Sequence, residues 1–353
     1  MPKVLLVHPG ASWSIADLHR GVRKALERQN IEIVDYAMDG RIAHSTEFLR
    51  HVWKVGQQQG KRQDPPGPAD YIYHASLGII ERALRHYVDW VLIISGMYVH
   101  GDVLGLLRRA GLRTAVILTE TPYANDYEHV IASAADVVWT NERSGIQEFA
   151  GLCHEIHYYQ HAYDPEVHKP SIDIEPNIAS HDVVFVGTGF VERVNLLRAV
   201  DWDGIDLGLY GAWELLGSRN RLRRYVCGGV TPNEITAQLY RQAKIGLNLH
   251  RTSIGFGRDV KHISGAESMN PRCYELAATG TFFITDARAE VGEVFGDAVP
   301  TFDTPQQLEE LIRYWLAHDE ERRLVAASLP GLVSSHTFDN RVEQILDVLA
   351  HFR

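Results

Sequence analysis

The chain has 353 residues, 45% hydrophobic and 23% charged, with a mean hydropathy of −0.18, a globular composition that excludes disorder and fibrous repeats. It carries 35 Lys and Arg against 45 Asp and Glu, a formal charge of −10, the wrong sign for a chain whose main partner is nucleic acid. Cys153, Cys227 and Cys273 form no C-x-x-C pair, so a disulfide framework and a cysteine metal site are not expected; a cytoplasmic setting is, and no apolar run reaches the ~18 residues of a membrane span.

A single core stops growing at roughly 250–300 residues, so the length predicts two domains with a cleft. Lys3 to Val7 reads as a buried first strand, too short for a secretory signal. Ile15 to Arg28 then places Leu18, Val22 and Leu26 on one helical face, and Ile31 to Val34 follows as a strand. Glu47 to Gln58 and Ile72 to Tyr87 read as helices around the loop Gln63 to Pro68. The β-α alternation resumes with strands at Trp90 to Ile94, Thr114 to Leu118, Val137 to Trp139 and Ile156 to Tyr159. These are continuous apolar runs, as in strands of a parallel sheet covered on both faces.

Pro165, Pro170 and Pro176 punctuate an aperiodic stretch from Asp164 to His181, the expected linker. The predicted domains are 1–168 and 169–336, with 337–353 packing back on the first. In the second half, strands are expected at Asp182 to Val186, Ile205 to Tyr210, Ile245 to His250 and Thr281 to Ile284. Helices are expected at Val194 to Val200, after the cap pairs Thr231-Pro232, Asn270-Pro271 and Thr304-Pro305, and at Glu320 to Ser328 and Val342 to Phe352.

Parallel sheets bind ligands where strands end and helices begin. Gly187-Thr188-Gly189 at one such place lets backbone amides approach a phosphate, with Arg193 to clamp it; a tight turn with a surface arginine is the plainer alternative. At a second, Asn270 as N-cap and Pro271 at the first helical position aim free amides and the positive helix end at the sheet mouth, beside Arg272. Glu275 lies about one turn in, within reach of a ribose, and Glu267 precedes the helix in the loop, placed to face a sugar. In the first domain His8 to Trp13, Ser95 to Gly101 and Glu120 to Tyr123 follow strand ends. Gly10 there permits close approach of backbone to a phosphate, and His100 and Glu120 are candidates for hydrogen-bonding or general-base work. His154, His157 and His161 suggest a metal cluster, but on a strand and turn they do not converge, and no metal is expected. Arg219 to Arg224 is the one dense basic run, and Trp213 is either a base-stacking or a core residue.

Asn270 to Asp286, Glu293 to Phe295 and Ser335 to Arg341 resemble the CgeB-like (spore maturation type) glycosyltransferases, related to the group-one GT-B enzymes. The likeness extends to Asp89 to Leu92, Glu120 to Pro122, Asp136 to Asn141, Ala162 to Pro165 and Phe185 to Gly189. It implies a GT-B fold, two Rossmann-like domains whose parallel sheets face a central cleft, with donor on the second and acceptor on the first. It further implies a retaining, metal-independent transferase that uses no cofactor beyond its donor, a nucleoside diphosphate sugar with UDP-sugar the expected one, and acts on a protein or glycan acceptor. Glu267 and Glu275 would be the two glutamates of an E-x7-E pattern, facing sugar and ribose. Glu120 stands where the family more often has Asp, Thr279-Gly280 replaces Gly-Gly, and no Lys follows Arg193, so Arg251 or Arg272 is expected to complete the phosphate clamp. The catalytic set expected is Glu267, Glu120 and His100. The donor set is Gly10, Gly187, Thr188, Arg193, Asn248, Arg251, Asn270, Arg272 and Glu275. The rivals are an inactive binding protein of this fold and a sugar-nucleotide epimerase or hydrolase.

Overall fold

The computed structural model describes residues 2–10, 15–217, 219–254 and 261–352. The fold divides into two compact units, Met1–Tyr159 with Val342–Arg353, and Gln160–Arg341.

The first unit runs β1 (Lys3–His8), α1 (Ala16–Arg28), β2 (Glu32–Ala37), α2 (Met38–Gln58), α3 (Pro68–His86), β3 (Trp90–Ile94), α4 (Gly101–Arg109), β4 (Arg113–Ile117), α5 (Asn125–Ala134), β5 (Val137–Thr140), α6 (Gly145–Phe149) and β6 (Glu155–Tyr158). All six strands are parallel, in the order β2-β1-β3-β4-β5-β6. The chain direction across the sheet reverses between β1 and β3, which opens a crevice beyond their carboxyl ends. Leu5, Val7, Val91, Ile93, Val116 and Val138 pack one face against Ile79, Ala83, Val103 and Leu107 of α3 and α4.

The second unit runs β7 (Val183–Val186), α7 (Val191–Ala199), β8 (Leu207–Tyr210), a 3-10 turn (Arg221–Tyr225), β9 (Val226–Gly228), α8 (Asn233–Gln242), β10 (Ile245–Asn248), β11 (Ser253–Ile254), β12 (Lys261–His262), α9 (Pro271–Ala278), β13 (Phe283–Asp286), α10 (Ala289–Phe295), β14 (Thr301–Phe302), α11 (Pro305–Ala317) and α12 (Asp319–Leu332); α13 (Phe338–His351) ends the chain. Six parallel strands lie in the order β14-β13-β10-β7-β8-β9, with the reversal between β7 and β10. Alternate residues serve opposite faces: Val183 and Phe185 pack with Leu197, Leu308 and Ile312, while Val184 and Val186 pack with Tyr240, Leu276 and Leu329. Burial on both faces is why these strands read as unbroken apolar runs.

Two of the three expected cap pairs form. Asn270 Oδ1 accepts the Arg272 amide at 3.1 Å ahead of Pro271, and Thr304 and Gln307 form a reciprocal capping box. The third shifts by one residue, because Pro232 keeps an extended ψ of 152° and α8 begins only at Asn233. Helix α2 starts at Met38 rather than near Glu47: β2 runs straight into it with no side-chain cap to mark the junction. No helix among the described residues is long and apolar enough to cross a membrane.

Candidate functional site

In the second unit the carboxyl ends of β7 and β10 meet at the reversal of strand order, and Arg193 bridges them. Only 7% exposed, it donates from Nη1 to the Thr188 carbonyl at 3.0 Å and from Nη2 to the Leu249 carbonyl at 2.5 Å. Gly187 and Thr188 are thus fixed by the arginine expected to act with them, and its guanidinium works on backbone rather than projecting as a free clamp. Two guanidinium groups lie over the Phe190 ring, Arg193 at 5.0 Å and Arg251 at 4.9 Å from its centroid. Gly189 is glycine for a steric reason: a Cβ there would sit 2.4 Å from the Trp213 ring. Trp213 is itself a buried core residue, edge-on to Phe185.

The segment leading into α9 is held at every step. The Ala266 carbonyl accepts from Arg288 Nη1 at 2.5 Å, and Glu267 O accepts the Glu290 amide at 3.2 Å. The Met269 amide donates to Glu290 Oε2 at 2.6 Å, and Asn270 then caps the helix. Arg272 Nε donates to the Val186 carbonyl at 2.5 Å, which sets this guanidinium beside Gly187. The exposed Glu267 and the capped helix end are therefore built on fixed backbone. Glu275 is different: it is 8% exposed, yet no hydrogen bond among the described residues ends on its carboxylate. Its oxygens are not among the fully enclosed polar atoms that lack a partner, and the fraction of the carboxylate that stays exposed is open to a hydroxyl-bearing ligand.

Asn248 is fully buried, its amide donating to Thr285 Oγ1 at 2.9 Å and Cys273 Sγ at 3.1 Å. It ties β10, β13 and α9 together and acts on a ligand only through them. Beyond it lies a pair that sequence reasoning passed over: Asp286 Oδ1 accepts the His250 amide at 2.8 Å and stands 3.0 Å from His250 Nδ1. The Asp286 carboxyl is held below its usual range by His250 and Arg288, against the opposing effect of burial, the largest single influence on it. The signal was the strand register: Asn248 pairs with Thr285, so the last residue of β13 and the residue two past the end of β10 become neighbours. The fully buried Glu290 was also missed, because a carboxylate in the first turn of a helix reads as a solvated one. In the basic run, Arg221 and Arg223 donate to the carbonyls of Val200 and Leu216 and are structural.

In the first unit Gly10 has φ of +120°, and a Cβ there would lie 2.0 Å from Asp39 Oδ2, which accounts for glycine at this position. The following Ala11, Ser12 and Trp13 lie outside the described residues. His100 is the N-cap of α4, its Nδ1 accepting the Asp102 amide at 3.3 Å. Glu120 follows β4 in a loop organised by the wholly buried Glu128: Oε1 accepts the Thr119 and Glu120 amides at 3.1 and 2.9 Å, and Oε2 accepts the Thr121 hydroxyl at 2.5 Å. Burial pushes the Glu128 carboxyl up to about 7 against these hydrogen bonds, with the neighbouring Glu120 charge adding to the rise. His154 packs on Phe352 and His157 pairs with Glu155. Around His161, in the second unit, Arg341 and His250 are charged neighbours, and burial lowers its pKa to about 4.

Residues 193–347 match a family model described as glycosyl transferase-like. The chain is 24% identical over 258 residues to the spore protein CgeB of Bacillus subtilis (strain 168), covering 71% of this chain and 80% of that one. Among solved structures it is similar to sucrose-phosphate synthase from Thermosynechococcus elongatus (TM-score 0.65, 12% identity, 99% and 98% of the two chains). It is likewise similar to "Trehalose-6-phosphate from E. coli bound with UDP-2-fluoro glucose" (TM-score 0.63, 11% identity, 99% of each chain). Two parallel six-stranded sheets and these structural likenesses agree on the fold: the chain has the GT-B fold, and its residues 193–347 are similar to a glycosyl transferase-like domain.

Proposed function

We propose that this chain transfers a sugar from a nucleoside diphosphate sugar, a UDP-sugar in the first instance, to a hydroxyl of a protein or glycan acceptor with retention at the anomeric carbon. The observation that carries the reading is Glu275, a buried carboxylate with no donor among the described residues, about one turn into a capped helix whose amides and Arg272 suit a diphosphate. The ribose hydroxyls donate to Glu275, and Glu267 takes those of the transferred sugar. Gly187 and Thr188 supply close backbone, and Arg193 and Arg251 add positive charge at the ends of β7 and β10. Asn248 positions Cys273 and Thr285 beneath the site.

In the reaction the bond from the anomeric carbon to the diphosphate oxygen breaks, and the diphosphate leaves with the electron pair. Arg272 and the α9 amides stabilise that charge, so this step places no demand on a metal cofactor. The acceptor oxygen bonds to the same face of the anomeric carbon, and its proton passes to the departing phosphate. On the first unit, which we assign to the acceptor, Glu120 and His100 orient the incoming hydroxyl, and Gly10 lets the backbone approach the donor phosphates.

The test is thermal unfolding of the chain with UDP, GDP, ADP, CMP and dTDP and their sugar conjugates, followed by measurement of nucleotide released with and without acceptors. A ligand that binds only the native chain raises its apparent stability by RT ln(1 + [L]/Kd). A shift with one nucleotide that disappears in Glu275→Ala supports the reading. No shift at millimolar ligand overturns it in favour of an inactive protein of this fold, and release of free sugar without acceptor points to a hydrolase or epimerase.

A further inference from the structure

His8 closes β1, Asp35 lies on the adjacent β2, and His19 lies at the start of α1. Asp35 pairs with Leu6, two residues before His8, so the Asp35 and His8 side chains share the sheet face. His8 Nε2 stands 3.2 and 3.3 Å from the two Asp35 oxygens, and the two imidazoles stack with centroids 3.6 Å apart and planes 7° from parallel. One ligand atom from each of the three residues lies within 4.8 Å of the others. The rings are only 4% and 8% exposed, yet His8 Nδ1 and both His19 nitrogens have no hydrogen-bond partner among the described residues. An imidazole filling space in a core ordinarily satisfies its N–H and its lone pair. Here three buried nitrogens in one small volume do neither, beside a carboxylate.

We propose that His8, His19 and Asp35 bind a divalent transition cation of the zinc class at the carboxyl end of β1. Two imidazole nitrogens and one carboxylate oxygen are the donor set such an ion favours, at about 2.0–2.2 Å, with a fourth position open to an exchangeable oxygen ligand. Neighbouring ligands of a tetrahedral ion lie about 3.3 Å apart. The His8 to Asp35 spacing already meets that, whereas the His19 ring, stacked parallel to His8, must turn out of the stack to aim a nitrogen at the same ion. Arg23 bears on the affinity: Nη1 donates to Asp35 Oδ1 at 2.5 Å, which leaves Oδ2 for the cation but sets a positive charge beside it. Arg20 is paired with Asp17 on the same helix.

The full chain, stripped with a chelator, is titrated calorimetrically with Zn²⁺ and spectroscopically with Co²⁺, whose visible absorption reports coordination geometry. One ion per chain is expected, bound at least 100-fold more weakly by His19→Ala, about 10-fold more weakly by Asp35→Asn and more tightly by Arg23→Gln. X-ray absorption at the zinc edge on the wild-type chain should count two imidazoles, a readout that needs no variant. Absence of binding, a different imidazole count, or unchanged affinity in a His19→Ala chain that keeps its cooperative melt overturns the proposal. Should His19→Ala not fold, Asp35→Asn, which leaves both rings in place, decides with the imidazole count.

Discussion

The strand ends of the two units are fastened by opposite means. In the second unit, guanidinium groups grip carbonyls: Arg193 holds Thr188 and Leu249, Arg272 holds Val186, and Arg288 holds Ala266. In the first, one carboxyl grips donors: Glu128 collects the amides of Thr119 and Glu120 and the hydroxyl of Thr121. Both solve one problem, since a parallel strand leaves unpaired backbone groups where it stops. The residual charge differs, however. The cationic solution leaves a positive field suited to a diphosphate; the carboxyl one leaves the exposed side of its loop to Glu120. The proposed assignment of donor to the second unit and acceptor to the first makes use of this asymmetry.

Removing the cationic fastening should have the largest effect. Hydrogen bonds to a charged group contribute about 1.5–3 kcal/mol each, so Arg193→Ala, which deletes two, should lower the stability measured by urea unfolding by about 4 kcal/mol. Arg193→Lys, lacking the fork, should recover less than half. A loss below about 1 kcal/mol would mean that the loops hold without it.

The carboxyl fastening predicts a pH dependence of opposite sense to that of an ordinary carboxylate. The folded chain keeps the Glu128 proton up to about 7, while the unfolded chain loses it near pH 4.5. The stability associated with the protonated form is therefore fully present below about pH 4.5 and is lost as pH rises through 7, by about 3 kcal/mol in all. In Glu128→Gln that decline should vanish, leaving the variant the more stable chain at pH 8. Parallel profiles for the two chains across pH 4.5–8 would contradict the buried protonated carboxyl.

Glu275→Ala sharpens the contrast between fastening and ligand contact. With no hydrogen bond from a described residue to lose, it should leave the unfolding midpoint within about 0.5 kcal/mol of wild type or above it. Its affinity for the matching nucleotide should fall about 100-fold, near 2.7 kcal/mol, measurable by calorimetry. Destabilisation without loss of affinity would make it a core residue. The smallest effect expected is that of Gly10→Ala, about 2 kcal/mol by thermal unfolding. It should be only partly relieved by Asp39→Ala, which removes the clash but not the strain of φ +120°.

Much of this was readable along the chain because its causes are local. Asn270-Pro271 and Thr304-Pro305 announce helices through a side-chain acceptor followed by a residue needing no amide partner, and both caps formed. Thr231-Pro232 carries the same letters and failed by one residue, since the backbone at Pro232 stays extended. The histidines make the limit plain. His154, His157 and His161 are close in sequence and engage different neighbours, whereas His8, His19 and Asp35 are spread over 28 positions and share one volume.

The sequence by itself determined the two runs of β-α alternation, the buried parallel sheets, the helix caps and the resemblance carried by residues 270–286. Periodicity and capping depend on neighbours within a turn or two, and such information survives in a linear string. Only the tertiary structure decided that Arg193 spans β7 and β10, that Asp286 meets His250, that Glu290 secures the loop before Asn270 and that Glu128 gathers the loop after β4. Each depends on which strands lie side by side and on what stands beyond their ends. That adjacency is set by crossovers of dozens of residues, which no local pattern encodes.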